Sequence, residues 1–399
     1  MVPKIDSLIG ISIYCTKTDG TGGRLRSSPD QFFVSEILRE KASSRISKSG
    51  SYAVYKLKKS GIDTNHALSD IFQKYGLRLK ALGLKDANAT TEQYVCDMSS
   101  SRSTELITTN RYTLEKIGLV QKPLTKKDMV GNHFKIMIEG ADFSKIKNFD
   151  EYDKILNFYG YQRFGSKRPV SHLIGKAILQ RDFAHAVDIL LSFTSEDDLP
   201  ENNRVRGMLK DRSNYASVFN EVPPQMDMER IVLKEMIDHN DPQKALHAIP
   251  LPLRRFFVEA FQSYIFNRTT STAYEYGEEL IQPQNNDVCY DKDDNLGRYQ
   301  NDPDQRLAIP LVGYSYSKKN RFDYHISKIL QEEQIHPKDF FVKEMQEVSA
   351  EGGFRNSIMI CRDFKINEPF VEFTLSRGSY ATILLREIIK PANPASEGF

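Results

Sequence analysis

The stretch "LGLKDANATTEQYVC" (82–96) places a lysine and an aspartate between a short apolar run and a polar turn. Taken alone, Asp86 fits three roles: a helix cap or turn former, a surface charge, or the reactive carboxylate of an enzyme. An aspartate before small and hydroxyl-bearing residues most often caps or turns the chain. Each role requires different residues and motifs elsewhere in the sequence, so those motifs decide between the three roles.

Length and composition indicate a folded protein of more than one domain. The chain has 399 residues, of which 40% are hydrophobic and 27% charged, and this length predicts two domains. The net charge is only +2, yet residues 1–85 hold 15 Lys/Arg against 7 Asp/Glu, and residues 275–306 hold 3 against 9. A basic N-terminal region suits a polyanionic partner, although a solvated basic face would give the same counts.

Several classes of protein are excluded by missing patterns. Cys15, Cys96, Cys289 and Cys361 are far apart and form no CxxC pair, so neither a zinc site nor a disulfide scaffold is expected. The sequence has no GxxxxGK[ST], HExxH or GxSxG motif, no metal-ligand spacing among its histidines, and no apolar run long enough to span a membrane. We therefore expect a cytoplasmic monomer with no metal, no cofactor and no membrane partner.

Hydrophobic periodicity predicts the elements of the N-terminal part: strands at 31–38, 51–59 and 132–140, and a helix at 64–76. Asp63 or Thr64 can cap the helix and Gly76 can end it. Its predicted apolar face comprises Ala67, Leu68, Ile71, Phe72 and Tyr75. A short buried strand predicted at 81–84 would place Lys85 and Asp86 at its exit, facing a cleft.

After Pro169 the spacing of apolar residues changes from one typical of strands to one typical of helices. Helical spacing appears at 171–193, with a break near Asp182, and again at 251–274, with Pro252 in the first turn. The polar stretch 283–305 is interpreted as a long exposed loop, and strands are predicted again at 357–364 and 370–389. A β-rich start, a helical middle and a β-rich end indicate one domain inserted within another.

The stretch "NFYGYQRFGSKRP" (157–169) interleaves aromatic and basic residues with glycine. Rings offer stacking surfaces to unpaired bases, and cationic groups contact phosphates, so the pattern is typical of RNA binding. The same pattern also arises in a loop whose aromatic side chains pack beneath an adjoining domain.

Six collinear segments resemble the TruD family of tRNA pseudouridine synthases. "GLKDANATTEQ" (83–93) resembles the family signature G-x-K-D-x-x-A-x-T-x-Q, and "NFYGYQRFG" (157–165) resembles N-x-F-G-x-Q-R-F-G. The others are "RSSPDQFFVSE" (26–36), "FFVEAFQSYIFN" (256–267), "PLVGY" (310–314) and "FTLSRGSYATILLRE" (373–387). They span nearly the whole chain, and the archaeal branch of the family is the most similar.

The resemblance implies an α/β (α+β) architecture with a discontinuous catalytic domain. Residues 1–167 and 348–399 would form the pseudouridine synthase fold around a mixed, mainly antiparallel sheet. Residues 168–347 would form an inserted α/β TRUD-type domain. The candidate RNA-binding residues Tyr161, Arg163, Lys167 and Arg168 would then lie near the junction, in the cleft that binds tRNA.

The resemblance also implies a reaction: isomerisation of a uridine, expected at position 13 in the D arm of tRNA, to pseudouridine. The bond between uracil N1 and ribose C1′ breaks, the base turns, and C5 bonds to C1′ without redox change. The aspartate of the family motif falls at Asp86, as a nucleophile at C1′ or C6 or as a base on the sugar. The sequence leaves these roles open.

Family positions also suggest residues that support the aspartate. Arg26 occupies the place of a basic residue beside it, where a permanent cation would keep the carboxylate ionised. Lys85 is a weaker candidate, because adjacent residues of a strand point to opposite sides. Gln93 and Asn157 are amides that could read the uracil edge or fix the loop.

Two tyrosines are expected to stack on the extruded base. Tyr159 stands where the family usually has phenylalanine, and Tyr380 occupies a second aromatic position. A further departure is the "AN" (87–88) after Asp86, where bacterial members often have a basic pair.

Other functions remain open from the sequence. A non-catalytic RNA-binding protein or RNA chaperone would keep the basic and aromatic residues without needing Asp86, and a synthase could act on other RNAs. A glycoside hydrolase also cleaves at C1′ but usually needs two carboxylates flanking the bond, for which Glu36 or Glu92 would have to serve.

Overall fold

The computed structural model describes residues 2–25, 28–99 and 104–399, so Arg26 lies outside the described residues. The strands are β1 (Phe32–Leu38), β2 (Tyr52–Lys59), β3 (Leu79–Ala81), β4 (Thr90–Asp97), β5 (Leu106–Thr108), β6 (Tyr112–Val120), β7 (Met129–Met137), β8 (Lys154–Leu156), β9 (Val288–Tyr290), β10 (Leu296–Arg298), β11 (Arg306–Leu311), β12 (Gly353–Asn356), β13 (Ile358–Asn367) and β14 (Phe370–Ser376). The α-helices are α1 (Lys4–Leu8), α2 (Glu40–Ser43), α3 (Thr64–Tyr75), α4 (Ser171–Leu179), α5 (Phe183–Ser192), α6 (Pro200–Met208), α7 (Tyr215–Val218), α8 (Asp227–His239), α9 (Pro242–His247), α10 (Leu251–Glu275), α11 (Asp323–Glu332) and α12 (Ala381–Ile389).

A ten-stranded mixed sheet contains strands from both ends of the chain. Its order is β5-β6-β2-β4-β1-β7-β14-β13-β8, and β3 pairs with β4. β1 runs parallel to β4, with Phe33 opposite Thr90, whereas β7 pairs antiparallel with both β1 and β14. This arrangement confirms the expected α/β fold class with a mixed, mainly antiparallel sheet. It also brings the N-terminal and C-terminal motifs to neighbouring strands.

The middle of the chain holds most of the helices and a smaller antiparallel sheet in the order β10-β9-β11-β12. α4 and α10 pack against each other, and a continuous buried core includes Phe158, Phe261 and Leu384. The two parts therefore share one hydrophobic interior. The division of domains at 168–347 stays a prediction.

Most predicted elements are confirmed, together with their capping residues. The Asp63 carboxylate caps α3 by accepting from the backbone N–H of His66, and Gly76 follows the helix in the left-handed conformation that glycine permits. The predicted break at Asp182 is the N-cap of α5, and Pro252 lies in the first turn of α10. Local signals were sufficient here because caps and breaks depend on neighbouring residues.

Two predictions about buried faces were wrong. In α3, Ala67 and Ile71 are buried, but Phe72 is 46% exposed and Tyr75 is 40% exposed, because a helix over one face of a sheet buries only one stripe of its surface. The strand predicted at 81–84 ends at Ala81, and Leu84 is 69% exposed. Pairing with β4 ends at Ala81 opposite Val95, so the chain leaves the sheet and carries the following residues in a loop.

Two predictions about the C-terminal half were also wrong. The segment 283–305 contains the hairpin of β9 and β10 rather than a loop without regular structure. The segment 370–389 is β14 followed by α12, and Ala381–Ile389 are all buried. A buried helix and a buried strand are both continuous apolar runs, so periodicity does not distinguish them.

No helix among residues 2–25, 28–99 and 104–399 combines the length and apolarity needed to cross a bilayer. In the same part of the chain, no three His, Cys, Asp or Glu side chains are grouped so that they could hold a metal ion.

Candidate active site

A cavity of about 190 Å³ lies where the β3–β4 loop meets β1, β7 and the start of α12. It receives residues from four of the family-like motifs, most of which are distant in sequence. Its described lining is Phe32, Val34, Leu84, Lys85, Asp86, Asn88, Ala89, Thr91, Asn132, Phe134, Gln162, Ser379, Tyr380, Ala381 and Thr382. Asp86 is the one carboxylate within that described lining, so we take this cavity as the candidate active site.

The β3–β4 loop presents Asp86 to the cavity. The Asp86 side chain is exposed, and its Oδ2 accepts a hydrogen bond from Nε2 of Gln162 at 3.2 Å. The backbone of the same loop is held by Lys59, whose buried ammonium donates to the backbone carbonyl of Asp86 at 2.9 Å and to that of Ile62 at 2.8 Å. Burial lowers the pKa of Lys59 to about 8. The carboxylate is thus carried on a backbone that a buried cation holds in place.

Gln93 fixes the same loop rather than facing the cavity. It is fully buried, and its Nε2 donates to the carbonyl of Gly83 at 3.0 Å while its Oε1 accepts from the Thr64 hydroxyl at 2.9 Å. The Thr64 hydroxyl oxygen in turn accepts from the Lys85 backbone N–H at 2.8 Å. Of the two roles expected for Gln93, these bonds favour loop fixation.

Lys85 lines the cavity together with Asp86, because both residues belong to a loop and not to a strand. The alternation that ranked Lys85 lower therefore does not apply. Its ammonium lies 2.7 Å from Oδ1 of Asn132 and 3.2 Å from Oε1 of the buried Glu36. Burial raises the pKa of Glu36, and the charge of Lys85 and the Tyr94 backbone N–H partly offset that rise. Much of the positive charge of Lys85 is therefore committed to Glu36.

Three aromatic side chains line the cavity. Tyr380 lines it from the start of α12, and its ring centroid lies 6.0 Å from that of Tyr159. Tyr159 is only 7% exposed and lies behind Tyr380, outside the described lining. Phe32 and Phe134 also line the cavity, and their rings meet edge to face at 6.4 Å. Tyr380 is therefore placed to stack on a ligand, and Tyr159 is placed to support Tyr380.

Arg355 connects the two tyrosines with Asn157. Its guanidinium carbon lies 4.0 Å above the Tyr159 ring, and its Nη2 donates to Oδ1 of Asn157 at 2.8 Å and to the carbonyl of Gly378 at 3.0 Å. Its Nε donates to the carbonyl of Asn157 at 3.0 Å. Asn157 is buried and occupied by these bonds, which favour a structural role for its amide over reading a base.

The four residues expected to bind RNA have different surroundings. Tyr161 is buried, with its hydroxyl donating to Asp6 at 2.7 Å, and Arg168 donates to Glu229 at 3.1 Å and to buried carbonyls. Arg163 packs 5.3 Å from the Tyr159 ring and pairs with Glu259, while Lys167 is exposed. Arg163 and Lys167 remain available to a ligand, whereas the other two stabilise the interior.

Sequence reasoning did not single out Gln162, Lys59 or Arg355. Gln162 stood inside a quoted motif, and Lys59 continues the buried alternation of Tyr55 and Leu57 along β2, a position where a lysine needs internal partners. Arg355 had no local signal, because its partners are about 200 residues away. Neither Glu36 nor Glu92 lines the described cavity, and Glu92 pairs with Lys56 at 2.8 Å, so the two-carboxylate arrangement of a glycosidase finds no support here.

Comparison with known proteins extends the likeness over the whole chain. The family model "tRNA pseudouridine synthase D (TruD)" matches residues 8–388. A Pyrobaculum islandicum protein named "Probable tRNA pseudouridine synthase D" is 30% identical, covering 100% of this chain and 99% of its own length, and its namesake from Methanosarcina acetivorans is 29% identical over 98% and 97%. A crystal structure from Methanosarcina mazei, assigned to TruD, matches with a TM-score of 0.80 at 26% identity and covers 98% of this chain and 99% of its own.

Proposed function

This chain belongs to the TruD family of tRNA pseudouridine synthases, and we propose that it isomerises uridine to pseudouridine in tRNA with Asp86 as the reacting carboxylate. The observation that carries the proposal is that the motif aspartate and Tyr380 line the same cavity although they are almost 300 residues apart. Extruding a uridine from a folded RNA costs a few kcal/mol, and stacking on an aromatic ring returns about 1–3 kcal/mol.

The geometry supports a division of labour around the base. Tyr380 offers a stacking face, and Gln162 orients the Asp86 carboxylate through its amide. The carboxylate attacks C1′ or C6, or removes a sugar proton. The N1–C1′ bond then breaks with its electron pair going to the uracil, and the base turns. C5 bonds to C1′, and any bond that the Asp86 carboxylate has formed is broken again. C5 finally loses its proton and N1 gains one, so the product is an isomer of the substrate. Arg26 remains the cation proposed beside Asp86, and Lys85 is already shared with Glu36.

The proposed substrate is the uridine at position 13 in the D arm of tRNA. The enzyme would act in the cytoplasm as a monomer, without a metal or other cofactor. Arg163 and Lys167 would contact the RNA, since Lys167 is exposed and Arg163 is partly exposed next to the Tyr159 ring. Binding that relies on phosphates should weaken with added salt.

Mapping of pseudouridine after incubation with an unmodified tRNA transcript tests the proposal. We expect the wild type to convert the target uridine and Asp86→Ala to lose conversion by at least about 100-fold, because removing an acid–base or nucleophilic group costs that much or more. Binding of the tRNA should largely survive, since the exposed carboxylate is not a phosphate contact.

Asp142→Ala is a matched control, because Asp142 is also an exposed loop aspartate that accepts local hydrogen bonds. It should convert tRNA as the wild type does. Equal conversion by Asp86→Ala would remove that residue from the reaction. A wild type that binds tRNA without converting any uridine would favour a non-catalytic RNA-binding protein. Conversion in other RNAs but not in tRNA would mean that the proposed substrate is wrong.

A further inference from the structure

A second cavity, of about 450 Å³, lies beside the candidate active site and is strongly basic. It is formed by the ends of β7 and β14, by β13, and by the β9–β10 hairpin. Its cations are Arg39, Lys154, Lys292, Arg306, Arg362 and Arg377, and its carboxylates are Asp294 and Asp304. Six positive groups against two negative ones leave a surplus of four positive charges, an environment suited to a polyanion. We call this cavity the basic groove.

Three of the arginines converge on one carboxylate. Oδ1 of Asp294 lies 2.7 Å from Nη2 of Arg306, and Oδ2 lies 3.3 Å from Nη2 of Arg39 and 3.4 Å from Nη2 of Arg377. Three guanidinium groups around a single carboxylate leave two charges without an acidic partner at that point. Guanidinium groups match phosphate oxygens at least as well as carboxylate oxygens.

The carboxylate lies on a turn held by local hydrogen bonds. Asp294 lies between β9 and β10 with φ +64°, a left-handed conformation that aspartate tolerates. The Asp291 side chain holds the turn by accepting from the backbone N–H groups of Asp293 and Asn295, at 2.8 Å each. This hairpin belongs to the acidic stretch 275–306, whereas Arg39 and Arg377 follow β1 and β14 of the large sheet. Asp294 therefore bridges two parts of the molecule through its charge.

The basic groove continues directly from the candidate active site. Asn132 lines the first cavity, and Val130, two residues earlier on β7, lines the second. The hydroxyls of Ser379 and Ser376 line the first and second cavity respectively and lie 3.2 Å apart. A nucleic-acid strand with one base in the first cavity must carry its phosphodiester backbone away, and the basic groove is an adjoining path of matching charge.

We infer that the basic groove binds the sugar-phosphate backbone of the RNA next to the target uridine, and that Asp294 occupies the place of a phosphate when RNA is absent. This inference rests on the proposed function for the identity of the ligand. The arginine cluster is then a phosphate site kept assembled by an internal anion. RNA must displace that anion, so Asp294 weakens binding while preventing the three guanidinium groups from repelling one another.

Asp294→Asn tests this displacement directly, because the amide keeps the shape of the side chain and loses its charge. We expect the Kd for unmodified tRNA at low salt to fall by roughly threefold or more, and its dependence on salt to become steeper, since the phosphate no longer competes with a carboxylate. Arg377→Gln should raise Kd and reduce the slope of log Kd against log salt by about one. Arg39→Gln should do the same if Arg377→Gln is poorly folded.

Arg212→Gln is the matched control. Arg212 is 46% exposed and pairs with Asp188, much as Arg377 is 38% exposed and pairs with Asp294, but Arg212 does not line the groove. It should leave Kd and the salt slope unchanged. Thermal unfolding midpoints would show that each variant is folded.

Two results would overturn the inference. One is weaker or unchanged tRNA binding by Asp294→Asn, which would mean that Asp294 only holds the β9–β10 hairpin in place. The other is an equal effect of Arg212→Gln and Arg377→Gln on Kd, which would mean that the overall charge of the protein, and not the groove, determines tRNA binding. These measurements are of binding, so a wild type that binds RNA through the groove but forms no pseudouridine would contradict the proposed function alone.

Discussion

At the scale of single residues, the candidate site depends on how a loop holds one carboxylate. The Asp86 side chain receives a hydrogen bond from Gln162, whereas its backbone carbonyl receives one from the buried Lys59. Lys85, adjacent in sequence, is shared with Glu36 and Asn132. Lys59 and Lys85 thus help to hold the β3–β4 loop in place, and the carboxylate oxygen atoms of Asp86 stay accessible.

Lys59 predicts a specific dependence of stability on pH. Burial lowers its pKa from 10.5 to about 8, so the folded protein releases this proton first and the unfolded chain still holds it between about pH 8 and 10.5. The unfolded state then binds more protons, and the contribution of Lys59 to stability rises with pH through that window. We expect the free energy of unfolding of the wild type, relative to Lys59→Met, to increase by up to roughly 1.4 kcal/mol per pH unit there.

Urea unfolding of both proteins at several pH values between 7 and 10.5 measures this difference. Tyrosines that titrate nearby are common to both proteins and cancel. A difference that does not change with pH would mean that the Lys59 ammonium is not held in a desolvated state.

At the scale of elements, the crossing of α4 and α10 supports the segment that carries Tyr159. Asn267 of α10 accepts from the backbone N–H of Tyr159 at 2.8 Å and donates to the carbonyl of Ile9 at 3.0 Å. α4 follows the aromatic motif directly and packs on α10 at Gly175. The close approach of the two helices therefore sets the position of the Tyr159 backbone.

Gly175→Ala should destabilise the protein by about 1–3 kcal/mol, because overpacking forces two backbones apart. A Cβ atom at this position would lie 2.0 Å from the carbonyl oxygen of Phe257. Gly207→Ala in α6 is the control, since a Cβ there meets nothing within 4 Å and should stabilise the helix by up to about 1 kcal/mol. Chemical denaturation measures the free energy of unfolding of both variants. Equal changes would mean that α4 and α10 can move apart at Gly175 without loss of stability.

At the scale of the whole molecule, buried charges join the two ends of the chain. Arg386 in α12 is fully buried, and it donates to Asp6 at 2.6 Å, to Glu387 at 2.9 Å and to the carbonyl of Ile13 at 2.8 Å. Tyr161 donates to the same Asp6 from the aromatic motif. This network fixes α12, whose first residue follows Tyr380, against the N-terminal segment.

Arg386→Met should cost about 3–5 kcal/mol at pH 7, because two carboxylates lose their cation in a buried place. Arg212→Met, which breaks an exposed pair with Asp188, should cost at most about 1 kcal/mol. Thermal and urea unfolding at pH 7 test this, and similar losses of stability in the two variants would mean that the buried network contributes no more than an exposed ion pair.

The sequence by itself determined the family motifs, the fold class and most helices and strands, including the cap at Asp63 and the break at Asp182. These features depend on residues close together in the chain, where periodicity and capping act. Only the tertiary structure decided that α12 is a helix, that Tyr161 and Arg168 are interior, and that Asp294 lies among three arginines. The physical reason is that burial and charge pairing depend on contacts between residues tens to hundreds of positions apart, and no local pattern specifies which of those contacts form.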